Sequence, residues 1–597
     1  MTAQKPQFYY APDEICVVVS LDPAPDVMVE WGRNVYEPVL TFVNERLARL
    51  LEVRAAADDD GPLEADFAPT LARDRFAAQR ERVLLQPLSR ARVDLSGSAG
   101  SLTPWVTLRR QNRSTTALHF YRVGPGQTTR DSWNPDGARI VRELTNLINR
   151  NLRQERIAGV PGAIIAATPN WLFPAASNGS GYTGGGPANK PPPVPPDAVP
   201  SDAVEPFRFQ FVNADLQALV TRQRSAPMPS SQEQPPSQEQ QQVVVAILDT
   251  CPEEGDVKTM AGDLGNWLLT DVAREVAIDA PKFLPPGYFA FLQPIGPGDG
   301  GDGANPYSHD IRDHGLFSAG IIRDIAPTAK IHLIRVLDDT GVGDLLLLTS
   351  VLGKLPSRLA PCGQKLVINL SLMACVPLNA DQPRVWFPAA AARPDTMLQL
   401  WSEMSATFET IHRSLAEVIA WLEEQRVLVV AAAGNDATRF PSRPEPRYPA
   451  RYDTVLGVAA VNSALAPSAF SNQGDYIQLG NGVAIFGGDL VGQQTVGIFS
   501  QPEFPFVRPG SSPNETGWAY WSGTSFATPV VSAIAADVWT ESPGLTPAEL
   551  IVIVTRPIGT IGALPNDPPN VFGRFVSRHD HENALLSFAI RAWQSPR

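Results

Sequence analysis

Apolar and polar positions along the chain fall into two regimes, separated by proline-rich breaks. Before residue 176 the pattern is mixed. Ile15-Cys16-Val17-Val18-Val19 is continuously apolar, as a buried strand is. Val35 to Val53 carries apolar residues at helical spacing: Val39, Phe42, Val43, Leu47, Leu50 and Leu51. Ala117 to Tyr121 reads as a strand, Ala138 to Ile157 as an amphipathic helix, and Ala163 to Ala166 as a further strand. Residues 1–175 are therefore expected to form an α+β domain. After Gln242 short β-rich runs alternate with helical stretches: VVVAIL, KIHLIRVL, LVINLSL, VLVVAAAG and VLGVAAV. Such runs suit strands buried on both faces. With helices between them, they imply an α/β, mostly parallel sheet flanked by helices over residues 243–597. Met404 to Gln425 places Phe408, Ile411, Leu415, Ile419 and Leu422 on one stripe. Thr546-Pro547-Ala548-Glu549 is a capping box with proline at the first helical position.

Two breaks punctuate this pattern. Residues 176–206 are first glycine-rich and then proline-rich, the composition of a spacer. Residues 225–242, SAPMPSSQEQPPSQEQQQ, repeat SQEQ and read as an exposed tether. Between them, residues 207–224 form a short segment. Phe207, Phe209 and Phe211 alternate there as one face of a strand does, and a short helix is expected from Ala214.

Composition narrows the class. At 597 residues the chain exceeds the usual single domain of about 250–300 residues. Hydrophobic residues at 43% against 19% charged residues exclude a disordered chain. The net charge of −13 argues against nucleic acid or an anionic membrane as a partner drawn by the overall field. Met1 to Glu14 holds no apolar run of the kind a secretory leader needs, and no stretch is long enough to span a bilayer. Cys16, Cys251, Cys362 and Cys375 are too scattered for a disulfide framework or a CxxC metal pair. These features point to a reduced, cytoplasmic setting, with leaderless export left open.

Four segments carry chemistry. Ala246-Ile247-Leu248-Asp249-Thr250 ends a buried strand on an aspartate. Asp313-His314-Gly315 opens a small-residue helix. Val429 to Asn435 places an asparagine after a buried strand and a glycine. Tyr520 to Pro529 sets Ser525 at the head of a long apolar helix, directly after Gly523-Thr524. Taken singly, each has a structural explanation: a strand-end carboxylate bonded to backbone, a packed histidine, a Ser/Thr helix cap. Taken together, a serine at a helix start needs a base, and the base needs a carboxylate to orient it. An asparagine amide can donate to an oxyanion.

These four segments, in this order, resemble the subtilisin-like serine proteases, the subtilases, over Val243 to Trp593. The resemblance implies a subtilisin-like fold. It implies Ser525 as nucleophile, His314 as general base, Asp249 as the carboxylate behind it and Asn435 as an oxyanion donor. It further implies that Gly341, Val342 and Gly343 pair with an extended substrate, with Ser371, Leu372 and Met373 on the facing strand. Ala432 and Gly434 would form the other wall of the pocket for the residue before the scissile bond. Matching Tyr448-Pro449 to the family's usual Tyr-Pro puts Arg447 at that pocket's base. A guanidinium there would prefer Asp or Glu before the cut bond; the alternative is Arg447 in solvent or paired with Glu445.

The chain also departs from the family pattern. Cys251 follows Asp-Thr where glycine is usual, and is read as a small core residue rather than a thiol switch. Met373 and Ala374 replace two usual glycines, and Leu316 stands where threonine is usual. No cofactor is expected. The loop GPGDGGDGANPYSHD could hold Ca²⁺, as many subtilases do, but reads first as a solvated flap. His579-Asp580-His581-Glu582 reads as a helix start before it reads as a metal cluster.

Subtilases commonly carry an N-terminal prodomain that blocks the cleft. By position, residues 1–175 would be such a zymogen element, with 225–242 as the processing junction; a permanent docking domain is the alternative. The expected activity is a regulated intracellular endopeptidase acting on protein or peptide substrates. The other readings are a non-catalytic subtilase-like binding module and a peptide ligase using the same acyl-enzyme.

Overall fold

The computed structural model describes residues 10–21, 28–56, 85–88, 90–93, 99–110, 115–123, 135–174, 193–194, 210–211, 242–280, 311–339, 341–361, 364–374, 410–439, 443–462, 466–475, 481–489, 494–504, 512–555, 587–588 and 591–592. The N-terminal elements are β1 (Tyr10–Leu21), α1 (Met28–Ala56), β2 (Leu85–Pro87), β3 (Arg90–Val93), β4 (Ala99–Leu102), β5 (Trp105–Arg109), β6 (Thr115–Val123), α2 (Pro135–Asn151) and β7 (Gly162–Pro174). β1 lies between β6 and β7, antiparallel to both, with Cys16 opposite Phe120 and Thr168. β2 and β5 both pair with β6. β3 and β4 pair with each other.

Strand periodicity sorts this sheet's side chains into two cores. Ile15, Val17, Val19, Ala117 and Tyr121 pack with Val39, Val43 and Leu47 of α1 and Leu144 and Ile148 of α2. Cys16, Val18, Val106, Leu108, Leu118 and Phe120 point the other way and join the core of the C-terminal half. The helix expected over 138–157 ends at Asn151. Gln154 and Gly159 take left-handed backbone angles, and Ile157 N–H bonds Gly162 O in the turn into β7. The short strands β2 to β5 leave no clear mark in the apolar pattern. The short helix expected from Ala214 and most of the 176–206 and 225–242 breaks lie outside the described residues. Within the first break, Pro193 bridges Ala519 and Val194 is buried, so this part of the proline-rich stretch is docked rather than exposed.

After β8 (Gln210–Phe211) come β9 (Val244–Asp249), α3 (Glu254–Leu264), α4 (Trp267–Glu275), β10 (Ala277–Asp279), α5 (His314–Ile325), β11 (Lys330–Arg335), β12 (Val342–Asp344), α6 (Leu345–Leu352), α7 (Leu355–Leu359), β13 (Leu366–Leu370), α8 (Thr410–Glu424), β14 (Leu428–Ala432), β15 (Val455–Val461), β16 (Gly482–Phe486), β17 (Thr495–Ile498), β18 (Glu503–Phe504), β19 (Ser512–Pro513), β20 (Trp518–Trp521), α9 (Thr524–Glu541), α10 (Pro547–Thr555), β21 (Ser587–Phe588) and β22 (Arg591–Ala592). Seven strands form a parallel sheet in the order β10-β11-β9-β13-β14-β15-β16, with β22 antiparallel on the last. β9, β13, β14, β15 and β16 are buried along their whole length, which is why their sequences are uninterrupted apolar runs. Strand order switches direction at β9, and ligands in such sheets sit at the carboxyl ends beside that switch.

The two halves share one core and several polar contacts. β12 is not part of the parallel sheet. It pairs antiparallel with the end of β7, Val342 opposite Pro174 and Asp344 opposite Leu172. Asn170 Oδ1 accepts the Leu346 N–H at the start of α6, at 3.0 Å. Arg110 bonds Glu417 and Glu424 of α8 at 2.5 and 3.1 Å, and Trp421 Nε1 donates to Arg109 O. Among the described residues no helix is long and apolar enough to cross a membrane.

His119 lies buried in the N-terminal region, beside Tyr36 and with Nδ1 3.2 Å from Tyr121 Oη. Burial pushes its pKa down from 6.5 to about 3. The folded chain thus keeps His119 neutral while the unfolded chain protonates it, so stability falls as pH drops from 6.5 towards 3. His119→Gln should flatten that decline. Denaturant melts of both proteins over this range check it, and parallel curves would contradict it.

Candidate active site

The end of β9 and the start of α5 are stitched together by one threonine. Thr250 Oγ1 donates to Ile311 O or Arg312 O and accepts the Gly315 N–H at 3.1 Å. A Cβ on Gly315 would lie 2.2 Å from Thr250 O, so only glycine permits this approach. The stitch brings His314 Nδ1 to 2.7 Å from Asp249 Oδ1, which also accepts the Thr250 N–H at 2.6 Å. A carboxylate only accepts, so the shared proton sits on Nδ1 and leaves Nε2 as the basic nitrogen. Nε2 has no hydrogen-bond partner. The imidazole is packed edge-on to Trp521 at 5.4 Å and tilted against Phe526 at 5.1 Å.

Ser525 stands in the first turn of α9, where backbone N–H groups favour negative charge. Its Oγ donates to Ser371 O at 3.3 Å, and Ser371 Oγ donates back to Ser525 O at 2.9 Å. Asn435 follows β14. Its Oδ1 accepts both the backbone N–H and the hydroxyl of Thr524, at 3.0 and 2.9 Å. With Oδ1 held there, the amide's Nδ2 is turned away from Thr524. Asp249, His314, Ser525 and Asn435 are all buried. Asp249 thus joins His314, Asn435 joins Thr524 beside Ser525, and the His314 ring lies against Phe526, the residue after Ser525; the Ser525 hydroxyl is bonded to Ser371 O and not to His314 Nε2. Thr524 orients the asparagine, a role the motif alone did not disclose.

The expected substrate-binding residues are placed as follows. Gly341 has φ 79° and closes a turn on Asp338 O, leading into β12 with Val342 and Gly343. Ser371, Leu372 and Met373 follow β13 and are buried; Ala432 ends β14, and Gly434 lies two residues beyond it with φ 110°. Arg447 N–H bonds Ala433 O, and Ala374 N–H bonds Tyr448 O, so the 447–448 segment is held between the ends of β13 and β14. The alternative of Arg447 in solvent is corrected, and its guanidinium already has one carboxylate partner. Arg447 is buried and its Nε is 2.8 Å from Asp436 Oδ2. It faces neither solvent nor Glu445, which pairs with Arg451. Asp436 directly follows Asn435, and that adjacency was the one signal of its presence here.

Cys251 is buried, and burial pushes its thiol pKa up, as a core residue requires and a thiolate switch does not. Among the described residues no cluster of three or more His, Cys, Asp or Glu could hold a metal. The Asp/Gly loop before His314 and the 579–582 segment lie outside the described residues.

A sequence model of the subtilase family (peptidase S8) matches residues 241–561, more than half the chain, and spans all four segments. The chain belongs to the subtilase family. Similar proteins include the minor extracellular protease Epr of Bacillus subtilis, 25% identical over 46% of this chain and 34% of its own. Mycosin-4 of Mycobacterium tuberculosis is 28% identical over 47% of this chain and 56% of its own. Subtilisin E of Bacillus subtilis is 26% identical over 41% of this chain and 50% of its own. The matched region thus spans between about a third and just over half of these relatives. The fold is that of a subtilisin-like serine protease, its N-terminal region standing outside the family match. In this subtilase, Asn435→Ala should lower kcat by about 10²–10³ with little change in KM. Steady-state kinetics on a peptide substrate measure it, and an unchanged kcat would remove Asn435 from the oxyanion site.

Proposed function

We propose that this subtilase is a serine endopeptidase that cuts protein substrates through an acyl-enzyme and is restrained by its own N-terminal region. The observation that carries the catalytic reading is the buried 2.7 Å Asp249–His314 contact beside a helix-start serine. Ser525 Oγ turns from Ser371 O and attacks the scissile carbonyl as His314 Nε2 takes its proton. Asp249 holds the tautomer and stabilises the imidazolium. The oxyanion is met by Asn435 Nδ2 and the Ser525 backbone N–H at the positive end of α9. His314 then protonates the leaving amine, and water releases the acyl group. An amine in place of water would make the same machinery a ligase. A purely binding role would not need an aspartate fixing a histidine tautomer.

The substrate is proposed to lie extended between Gly341-Val342-Gly343 and Ser371-Leu372-Met373, paired by main-chain hydrogen bonds. The side chain before the scissile bond would enter between Met373, Ala432, Gly434 and Arg447. The end of β7 already occupies the β12 edge, which supports restraint by the N-terminal region. We read residues 1–175 as the restraining domain, 207–224 as a short strand-helix segment, 225–242 as the junction whose cutting would loosen it, and 243–597 as the catalytic domain. The proposed cytoplasmic setting rests on Cys16 and Cys251 being free, buried thiols; Epr is named an extracellular protease, and a periplasmic or secreted location found by fractionation would replace that setting.

Two outcomes test this. Ser525→Ala should abolish fluorophosphonate labelling and lower kcat by about 10⁴–10⁶; cleavage at the wild-type rate would refute the triad. A chain beginning near Gln241, made active by refolding, should be inhibited by added residues 1–224. Activity indifferent to that fragment would leave docking or folding assistance as its role.

A further inference from the structure

Two buried side chains flank Gly434, in the wall proposed above for the residue before the cut bond. A Cβ on Gly434 would lie 3.0 Å from Arg447 Cγ, 3.2 Å from Met373 Sδ and 2.7 Å from Asn472 Nδ2. Met373 follows β13, Gly434 follows β14, and Arg447 belongs to the segment held between them by the Arg447–Ala433 and Ala374–Tyr448 backbone bonds. The gap between these strand ends is bordered by Ser371, which exchanges hydrogen bonds with Ser525. Met373 and Arg447 are both fully buried. The stem of Arg447 therefore lies against Gly434 while its Nε is paired with Asp436. Asp436 is itself fixed, its carboxylate accepting Asn472 Nδ2 and its N–H bonding Asn472 Oδ1, both at 2.8 Å.

The geometry points to a primary specificity pocket filled from within by Met373 and the Arg447–Asp436 pair, so that this subtilase cuts after glycine, alanine or serine. This rests on the endopeptidase reading above. A leucine or phenylalanine would have to displace either a close-packed thioether or one member of a buried ion pair. Packed interiors resist the first, and the second strands a charge without its partner. An aspartate or glutamate would bring a second carboxylate to a guanidinium that Asp436 already neutralises, and a lysine would face that guanidinium. The floor cannot drop to make room, because its backbone is bonded to both walls.

The full chain is incubated until its electrophoretic pattern is constant. It is then assayed on peptides that differ only in the residue before one bond: Gly, Ala, Ser, Leu, Phe, Asp, Glu or Lys. Mass spectrometry identifies the bond cut. The best of Gly, Ala and Ser should exceed Leu, Phe, Asp, Glu and Lys in kcat/KM by about tenfold or more. Met373→Gly should reduce the Ala-to-Leu ratio by about tenfold. The double variant Asp436→Ser with Arg447→Gly removes both charges together and should reduce the Ala-to-Phe ratio likewise. Because each readout is a ratio within one protein, partial misfolding does not mimic it. Wild-type preference for Leu, Phe, Asp, Glu or Lys overturns the inference. So do ratios unchanged in both variants, and so does a protein that labels with fluorophosphonate yet cuts none of the small-residue peptides. A wild-type protein that does not label fails instead on the endopeptidase reading.

Discussion

The active-site edge depends on how closely the end of one buried strand approaches the start of one helix. Asp249 is the last residue of β9, and β9 is the strand where the sheet order switches. Its carboxylate is buried, and burying a charge without partners is expensive. The Thr250 N–H and His314 both bond its Oδ1, Oδ2 having no hydrogen-bond partner, and His314 reaches it only because Gly315 lets the helix come within contact of Thr250. A side chain at Gly315 would push α5 outward and break the Asp249–His314 contact. The serine side is assembled on the same edge, with Thr524 tying Asn435 to the first turn of α9.

A second constraint comes from the edge of β12, which stands outside the parallel sheet. Strand edges with free N–H and C=O groups recruit partners. In this chain the partner is the end of β7, and the sheet that carries β7 shares a core with the C-terminal half. Asn170 adds a hydrogen bond to the α6 start, and Arg110 bridges to α8. Backbone pairing, apolar burial and charge therefore act together at one interface. A peptide lying on β12 would have to replace the backbone part of it.

Arg447 illustrates how a residue type is read differently once its neighbours are known. A lone arginine beside a cleft attracts acids; an arginine bonded to Asp436 is half of a buried ion pair. Both partners are buried, so the pair is held as a unit rather than opened by solvent.

Local sequence was enough wherever one residue type had one physical reason to be there. The runs at β9, β13, β14, β15 and β16 are apolar throughout because both faces are buried, and the α8 stripe repeats because one face is. The Asp249–His314 and Asn435–Thr524 contacts lie in segments the sequence singled out, where Gly315, Gly434 and Gly523 mark close approach. The end of α2 at Asn151, the short strands β2 to β5 and the docking of Val194 were not legible, since two to five residues carry too little periodicity. Only the tertiary structure decided that β12 pairs with β7, that Asp436 neutralises Arg447 and that Thr524 turns Asn435. Each of these joins segments far apart in the chain or unrelated in pattern. Backbone hydrogen bonds are made by every residue type except proline's missing N–H, so the pairing partner of an edge strand leaves no signature in its side chains.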